Sequence, residues 1–242
     1  MTAALAVHDL TKDFGGLRAL DGVTLEVRTG ERVAILGPNG AGKTTLFNLV
    51  TGLLRPSRGR IALLGRDVTT LPAHRRARLG LSRTFQVTTL FPNLTVLDSL
   101  LLALRAADRS RGAGRGLRAE AEALLADWQL AGREGTLTRQ LSYGEQRQLE
   151  LALALATRPR VLLLDEPTAG LSPAETRAVT GMLERLPREI TVLLIEHDMD
   201  VAFAVAERIV VLAQGRLLAE GPPEAVRASR AVAEIYLGSA DA

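Results

Sequence analysis

Cysteine is absent from the 242 residues, which excludes disulfides, thiolate zinc sites and cysteine nucleophiles. An excess of basic charge is missing too, because 30 basic residues stand against 27 acidic ones and the formal charge is only +3. Since a nucleic-acid-binding domain usually carries a clustered basic excess, no nucleic-acid partner is expected. A charge-free apolar run of about 18 residues does not occur, so no membrane-spanning helix is predicted.

The N-terminal residues 1–14 contain no basic stretch followed by an apolar segment. A secretory signal is therefore not predicted, and the cytoplasm is the expected compartment. Apolar residues make up 47% and charged residues 24%, a balance typical of a folded chain with a sizeable core.

Apolar strands alternate with helical patterns along much of the chain. Strands are predicted at 32–36, 161–165, 191–195 and 208–213, accompanied by helices such as 42–53 and 173–186. This alternation favours a mostly parallel sheet covered on both faces. Short alternating segments at 5–10 and 24–27 predict an antiparallel edge at the N-terminus.

Helical patterns replace the strands in the middle of the sequence, at 95–107, 117–130 and 144–156. The predicted fold class is therefore α/β: a core of residues 1–86 and 159–242 with an inserted helical subdomain at 87–158. The whole chain is predicted to form one functional domain.

Two stretches are rich in arginine. Residues 105–118 hold five arginines, three glycines and one acid, which fits either a solvated loop or a contact with lipid headgroups or a partner. Residues 55–83 hold eight arginines and one acid, Asp67, interleaved with strand-like apolar residues. Solvated faces are predicted for this second stretch.

A glycine-rich segment joins the strand at 32–36 to the helix that follows. It fits the phosphate-loop pattern of glycine, four residues, glycine, lysine and a hydroxyl residue. The glycines let backbone N–H groups face the phosphates, the helix N-terminus adds positive potential, and the lysine neutralises β and γ oxygens. The predicted nucleotide-binding residues are Gly37, Pro38, Asn39, Gly40, Ala41, Gly42, Lys43, Thr44 and Thr45, with Thr44 also a ligand of Mg²⁺.

Two carboxylates follow the apolar strand at 161–164. Asp165 is predicted to hold Mg²⁺, directly or through water. Glu166 lies one residue further on, where a carboxylate can orient and deprotonate the water that attacks the γ-phosphate.

The segment 141–146 reads Leu-Ser-Tyr-Gly-Glu-Gln and resembles the signature motif of ABC-type ATP-binding cassettes, usually written LSGGQ. Ser142 and Gly144 keep the pattern, whereas Tyr143 and Glu145 depart from it. The resemblance implies ATP as the nucleotide and a head-to-tail dimer of cassettes, identical or related. In that dimer residues 142–145 would cap, in trans, the γ-phosphate of the ATP held by the other cassette.

Further residues match the same family. Gln86 resembles the glutamine that meets Mg²⁺ and the attacking water, and His197 resembles the switch histidine that holds the γ-phosphate. Phe14 resembles the aromatic that stacks on adenine. Residues 169–172 match the D-loop, with Ser172 where aspartate is usual.

Within the family, segments 14–20, 83–86, 90–91 and 235–238 resemble the cassettes of branched-chain and hydrophobic amino-acid importers. Cassettes for urea or short amides, and a lipopolysaccharide-exporting type, share much of this pattern. The resemblance implies an ATPase that powers uptake through separate integral membrane permease subunits, with an external solute-binding protein. Its expected place is the cytoplasmic face of the cell membrane, held there peripherally.

Other function classes fit the sequence less well. A soluble cassette ATPase acting on ribosomes or DNA usually has two cassettes or a long coiled-coil insertion, and neither is present. A module that holds ATP without hydrolysing it is disfavoured by Glu166 and His197. A GTPase is disfavoured because no Asn-Lys-x-Asp segment occurs.

Overall fold

A computed structural model describes residues 3–84, 90–107 and 115–238. The strands in these ranges are β1 (Ala3–Phe14), β2 (Leu17–Arg28), β3 (Arg32–Leu36), β4 (Arg58–Leu63), β5 (Arg66–Asp67), β6 (Leu81–Arg83), β7 (Val161–Asp165), β8 (Thr191–Ile195), β9 (Arg208–Ala213) and β10 (Arg216–Gly221). The helices are α1 (Lys43–Thr51), α2 (Ala73–Arg78), α3 (Val96–Ala107), α4 (Arg115–Asp127), α5 (Tyr143–Ala156), α6 (Pro173–Glu184), α7 (Met199–Val205), α8 (Pro223–Arg227) and α9 (Arg230–Gly238).

Contacts divide the chain into two compact units. The first unit comprises Met1–Leu81, Arg160–Glu166 and Pro187–Ala242, and the second comprises Ser82–Pro159 and Pro167–Leu186. The predicted subdomain boundaries at residues 87 and 158 stay a prediction. None of the helices in the described part of the chain has both the length and the apolar character needed to cross a bilayer.

A six-stranded sheet in the order β10-β9-β3-β8-β7-β6 includes the four apolar strands predicted from the sequence. β3 runs parallel to β8 and β9, and β7 runs parallel to β8. Every residue of β3, β7 and β8 is buried, as expected for parallel strands covered on both faces. The prediction of a mixed α/β fold is confirmed.

A four-stranded antiparallel sheet in the order β2-β1-β4-β5 lies in the first unit. The predicted N-terminal edge is present, but β1 and β2 each span 12 residues rather than the short segments expected. β4 and β5 were not predicted, because arginines interrupt the apolar alternation of β4 and β5 has only two residues, both charged. Apolar side chains from both sheets and α1 form the buried core of this unit, including Ile35, Phe47, Ile61 and Leu163.

Arg76 corrects the prediction of solvated faces for residues 55–83. Its side chain is only 1% exposed, and the guanidinium donates hydrogen bonds to the carbonyls of Leu49 and Val50 at 2.7 and 2.8 Å. It also donates to the carbonyls of Leu71 and Thr69 at 2.8 and 3.1 Å. The last carbonyls of a helix lack intrahelical donors, so this buried arginine closes the C-terminal end of α1.

In the second unit, α3 packs against α4 and α5, and α4 packs against α5. Leu100 and Leu104 on α3, Leu125 on α4 and Leu149 on α5 are fully or almost fully buried, which reflects helical spacing of apolar residues. Of the arginine-rich stretch at 105–118, residues 108–114 lie outside the described residues, and its role stays open.

Candidate active site

The predicted phosphate loop lies between β3 and α1, and two of its glycines are required by close contacts. A Cβ atom on Gly37, at φ 150°, would lie 2.1 Å from the carbonyl oxygen of Leu212. A Cβ on Gly42, at φ 101°, would lie 2.6 Å from the carbonyl oxygen of Ala19. Both distances are too short for any side chain, so the loop packs directly on neighbouring backbone.

The loop is also held by hydrogen bonds. Ala41 N donates to Pro38 O at 3.2 Å within the loop. Gly215 N, in the turn between β9 and β10, donates to Ala41 O at 3.1 Å, and Asp21 N donates to Gly215 O at 2.8 Å. The sequence did not predict that this distant turn supports the loop.

Lys43 begins α1 and its side chain is buried. Its ammonium donates to the carbonyls of Gly37 and Pro38 at 2.6 and 3.0 Å, so the charge is held over the loop. Burial lowers the pKa of Lys43, while the nearby carboxylates of Glu166 and Asp165 oppose that shift. The cation and both predicted acids therefore share one electrostatic environment.

Glu166 and His197 meet at the carboxyl edge of the parallel sheet. The histidine Nε2 lies 2.7 Å from Glu166 Oε1, with the imidazole about half exposed and the carboxylate nearly buried. Glu166 adopts a left-handed backbone conformation, φ 49°, and its N–H donates to the carbonyl of Ile195 at 2.9 Å. A non-glycine residue in this conformation is uncommon and is often found at functional sites.

The residues suggested for Mg²⁺ offer oxygen donors, the type that this cation prefers. Thr44 is exposed at the start of α1, and Asp165 is buried at the end of β7. Within the described ranges no group of three or more histidine and acidic residues could hold a metal ion. A site with few protein ligands suits Mg²⁺, which usually keeps waters and binds substrate phosphates. Gln86, the third predicted ligand, lies outside the described residues.

Phe14 ends β1 and is 45% exposed. The Lys12 ammonium lies 4.9 Å from the ring centroid and donates to the carbonyl of Arg55 at 2.9 Å. An exposed aromatic ring can stack on a base, as the resemblance implied, and the sequence did not predict the adjacent cation.

The signature segment opens α5 in the second unit. Ser142 is the N-cap: its hydroxyl accepts a hydrogen bond from Glu145 N at 3.2 Å, and Glu145 Oε2 accepts one from Ser142 N at 2.8 Å. The other oxygen of Glu145 accepts from Arg133 Nε at 2.7 Å. The backbone N–H of Ser142 and the Arg133 guanidinium lower the pKa of Glu145. Glu145, which replaces the usual glutamine, thus completes a capping box.

Two further signature residues contact the D-loop, residues 169–172, and the helix that follows it. The Tyr143 hydroxyl donates to the carbonyl of Ala169 at 3.1 Å. A Cβ on Gly144 would lie 2.2 Å from Glu175 Oε1, so a larger residue at position 144 would displace the Glu175 carboxylate. Sequence reasoning missed these contacts, because the partners are far apart along the chain.

The structure therefore brings together Lys43, Asp165, Glu166 and His197 in the first unit. It brings together the signature segment and the D-loop in the second unit. Ser172 caps α6 and pairs with Glu175, instead of supplying the aspartate usual in the D-loop.

Comparison with known proteins agrees with this geometry. The family described as ABC transporter matches residues 20–169, and the family described as branched-chain amino acid ATP-binding cassette transporter matches residues 216–242. The high-affinity branched-chain amino acid transport ATP-binding protein BraF of Pseudomonas aeruginosa is 43% identical, and the match covers 98% of each chain.

Two solved structures are similar to this chain over at least 90% of its length. MJ1267, an ATP-binding cassette of an ABC transporter in its ADP conformation, gives a TM-score of 0.87 at 30% identity over 98% of this chain and 100% of that one. The dimeric structure of MJ0796, a bacterial ABC transporter cassette, gives 0.82 at 29% identity over 90% of this chain and 98% of that one. The fold and the loop thus define an ATP-binding cassette. The chain belongs to the ABC transporter family, as an ATP-binding and ATP-hydrolysing subunit.

Proposed function

We propose that this chain powers the uptake of branched-chain or other hydrophobic amino acids through separate permease subunits. The named role of BraF and the family match at residues 216–242 support this substrate class. An external solute-binding protein would deliver the amino acid. The cassette would act at the cytoplasmic face of the membrane, bound there only through its permease partners.

The proposed chemistry rests on one observation: Glu166 Oε1 lies 2.7 Å from His197 Nε2, in the electrostatic environment of buried Lys43. Glu166 would accept a proton from the water whose oxygen attacks the γ-phosphorus of ATP, and the bond from that phosphorus to the β-γ bridging oxygen breaks, releasing ADP and phosphate. His197 would orient the carboxylate and hold the γ-phosphate. Lys43 and the backbone of the loop would neutralise the charge on the phosphates.

Thr44 and Asp165, together with Gln86, would hold Mg²⁺, which when bound neutralises phosphate charge. Phe14 would stack on adenine, with Lys12 beside the ring. Residues 142–145 would cap the ATP of a second cassette in a head-to-tail dimer. Ser142 caps the N-terminus of α5, and the positive end of the helix dipole there favours an anion.

A groove in the second unit suits a permease partner. Its volume is about 310 Å³, and Phe91 and Leu102 in its lining are 62% and 47% exposed. Exposed apolar side chains of this size favour contact with another protein. Residues 82–84 and 90–91 of its lining flank Gln86, a predicted ligand of Mg²⁺, in the sequence.

Glu166→Gln tests the chemistry. This variant should bind ATP normally and lose roughly 10² to 10⁴-fold in turnover, the usual contribution of positioned proton transfer. Lys43→Ala should instead weaken ATP binding itself. Glu189→Gln, at an exposed acid, is the matched control and should keep full turnover. Near-normal ATP hydrolysis by Glu166→Gln would remove Glu166 from the mechanism.

A reconstituted transporter tests the substrate class. Hydrolysis of ATP by the cassette and its permease should rise when a binding protein loaded with leucine, isoleucine or valine is added. Phe91→Asp should abolish that rise and spare basal hydrolysis, because a charge enters the apolar groove. Leu53→Asp, which changes an exposed apolar residue outside the groove, should leave the stimulation of hydrolysis intact. Stimulation by urea, by a short amide or only by a lipid-linked substrate would contradict the amino-acid proposal.

A further inference from the structure

Tyr143 links the signature helix to the D-loop of its own chain. Its hydroxyl donates to the carbonyl of Ala169 at 3.1 Å. Its ring lies so close to Gly170 that a Cβ there would come within 3.1 Å of Tyr143 Cε1. The Arg147 guanidinium lies 5.7 Å from the ring centroid of Tyr143. A side chain that is 46% exposed is thus fixed by contacts with backbone and with a neighbouring cation.

A second contact links the signature helix to Glu175, in the first turn of α6. The Glu175 carboxylate accepts hydrogen bonds from the backbone N–H and the hydroxyl of Ser172, at 2.9 and 2.6 Å. The same carboxylate lies against the Cα of Gly144. The D-loop is therefore held at its beginning by Tyr143 and at its end by the capped start of α6.

Two departures from the usual family pattern coincide here. A glycine at position 143 could make neither the hydrogen bond nor the ring contact. Ser172 replaces the usual aspartate and is engaged in capping its own helix. Ser172 therefore acts within its own chain, where the usual aspartate would be available for contacts across a dimer. Tyr143 adds a hydrogen bond to the same loop from within the chain.

We propose that Tyr143 is a positioning residue, which holds the D-loop against the first turn of the signature helix so that both elements meet the second cassette's nucleotide as one rigid piece. The proposal rests on the head-to-tail dimer proposed above. Its physical basis is preorganisation: a loop already fixed in its bound conformation loses less conformational entropy when the dimer closes.

Hydrogen exchange tests the contact itself in the full-length chain. Tyr143→Phe keeps the ring and removes only the hydroxyl, so the amides of residues 169–171 should exchange about 2- to 10-fold faster, the equivalent of one hydrogen bond. Thr180→Val is the matched control, since it removes a hydroxyl that donates to the carbonyl of Thr176 at 2.8 Å on α6. Unchanged exchange at 169–171 in Tyr143→Phe would overturn the positioning role.

Mixed dimers with two purification tags test the action in trans. A Tyr143→Phe chain paired with a Lys43→Ala chain retains one intact composite site. The second pair combines a chain carrying both Tyr143→Phe and Lys43→Ala with an unmodified chain. It has the same number of substitutions as the first pair but no intact composite site. If Tyr143 acts in trans, the first pair should hydrolyse ATP roughly 2- to 10-fold faster than the second.

The remaining outcomes separate the two proposals. Faster ATP hydrolysis by the second pair would mean that Tyr143 acts on the nucleotide bound to its own chain. Equal rates of hydrolysis would mean that its hydroxyl contributes nothing to hydrolysis. Either result overturns the inference. If chains with Glu166→Gln stay monomeric in ATP, the proposed dimer fails instead. The exchange measurement still decides the contact with the D-loop, because that contact lies within one chain.

Discussion

Replacing Arg76 by methionine should destabilise the first unit strongly, because the guanidinium closes the C-terminal end of α1 from inside the core. It donates four hydrogen bonds to carbonyls, at 2.7, 2.8, 2.8 and 3.1 Å. Bonds from a charged donor contribute about 1.5–3 kcal/mol each, or roughly 6–12 kcal/mol before opposing costs. Burial of the guanidinium costs several kcal/mol and also lowers the pKa of Arg76, so the expected net loss is about 3–5 kcal/mol.

Urea unfolding followed by circular dichroism measures this loss, which corresponds to a fall in melting temperature of roughly 6–20 °C. Hydrogen exchange should become faster at the end of α1, residues 47–51, where the carbonyls lose their donors. Arg75→Met is the matched control, since Arg75 is the exposed neighbour on the same helix. Arg76→Lys should recover only part of the stability, because an ammonium cannot reproduce the planar guanidinium geometry. Equal stability of the Arg76→Met and Arg75→Met variants would refute the capping role.

Two further predictions concern the loop and the signature helix. Gly42→Ala should lower ATP affinity at least about tenfold, because its Cβ would clash with the carbonyl oxygen of Ala19. Gly40→Ala, which has open space around its Cβ, should lower ATP affinity less. Titration with a fluorescent ATP analogue compares the two variants, and equal losses of affinity would contradict the close contact at Gly42. Glu145→Gln should be less stable than the unmodified chain near neutral pH. The pKa of Glu145 is lower in the folded chain than in the unfolded chain. The carboxylate therefore contributes its full stabilisation above the unfolded pKa of about 4.3, and this stabilisation is lost as the pH falls through the folded pKa. A difference in urea midpoint that stays constant from pH 7 to strongly acidic pH would show that the carboxylate charge does not stabilise the fold.

The strands of the parallel sheet could be predicted because their signal is local. β3, β7, β8 and β9 have the bounds expected from the sequence, since a strand buried on both faces is a short uninterrupted apolar run. The phosphate loop could also be predicted, because its glycines, lysine and threonines lie within one short segment of the sequence. In the antiparallel sheet β4 was missed, because arginines interrupt its apolar alternation.

Arg76 shows why the remaining features could not be predicted. Composition places an arginine at the surface, whereas two of the four carbonyls that make its burial favourable, those of Leu49 and Val50, are distant in sequence. Glu175 is a similar case. Its spacing from Ser172 predicts a capping box, but the contact of its carboxylate with Gly144 depends on how α5 and α6 pack.

Local sequence patterns were enough to indicate the α/β class, the phosphate loop, the acidic strand and the family, because each is carried by residues adjacent in the chain. Which of these groups meet depends instead on how the chain packs. Glu166 approaches His197 because parallel strands β7 and β8 end at the same edge of the sheet. Tyr143 reaches Ala169, 26 residues away, because packing in the second unit places the two backbones together. A local pattern encodes which chemical groups are present, whereas distances between remote groups arise only when the core packs.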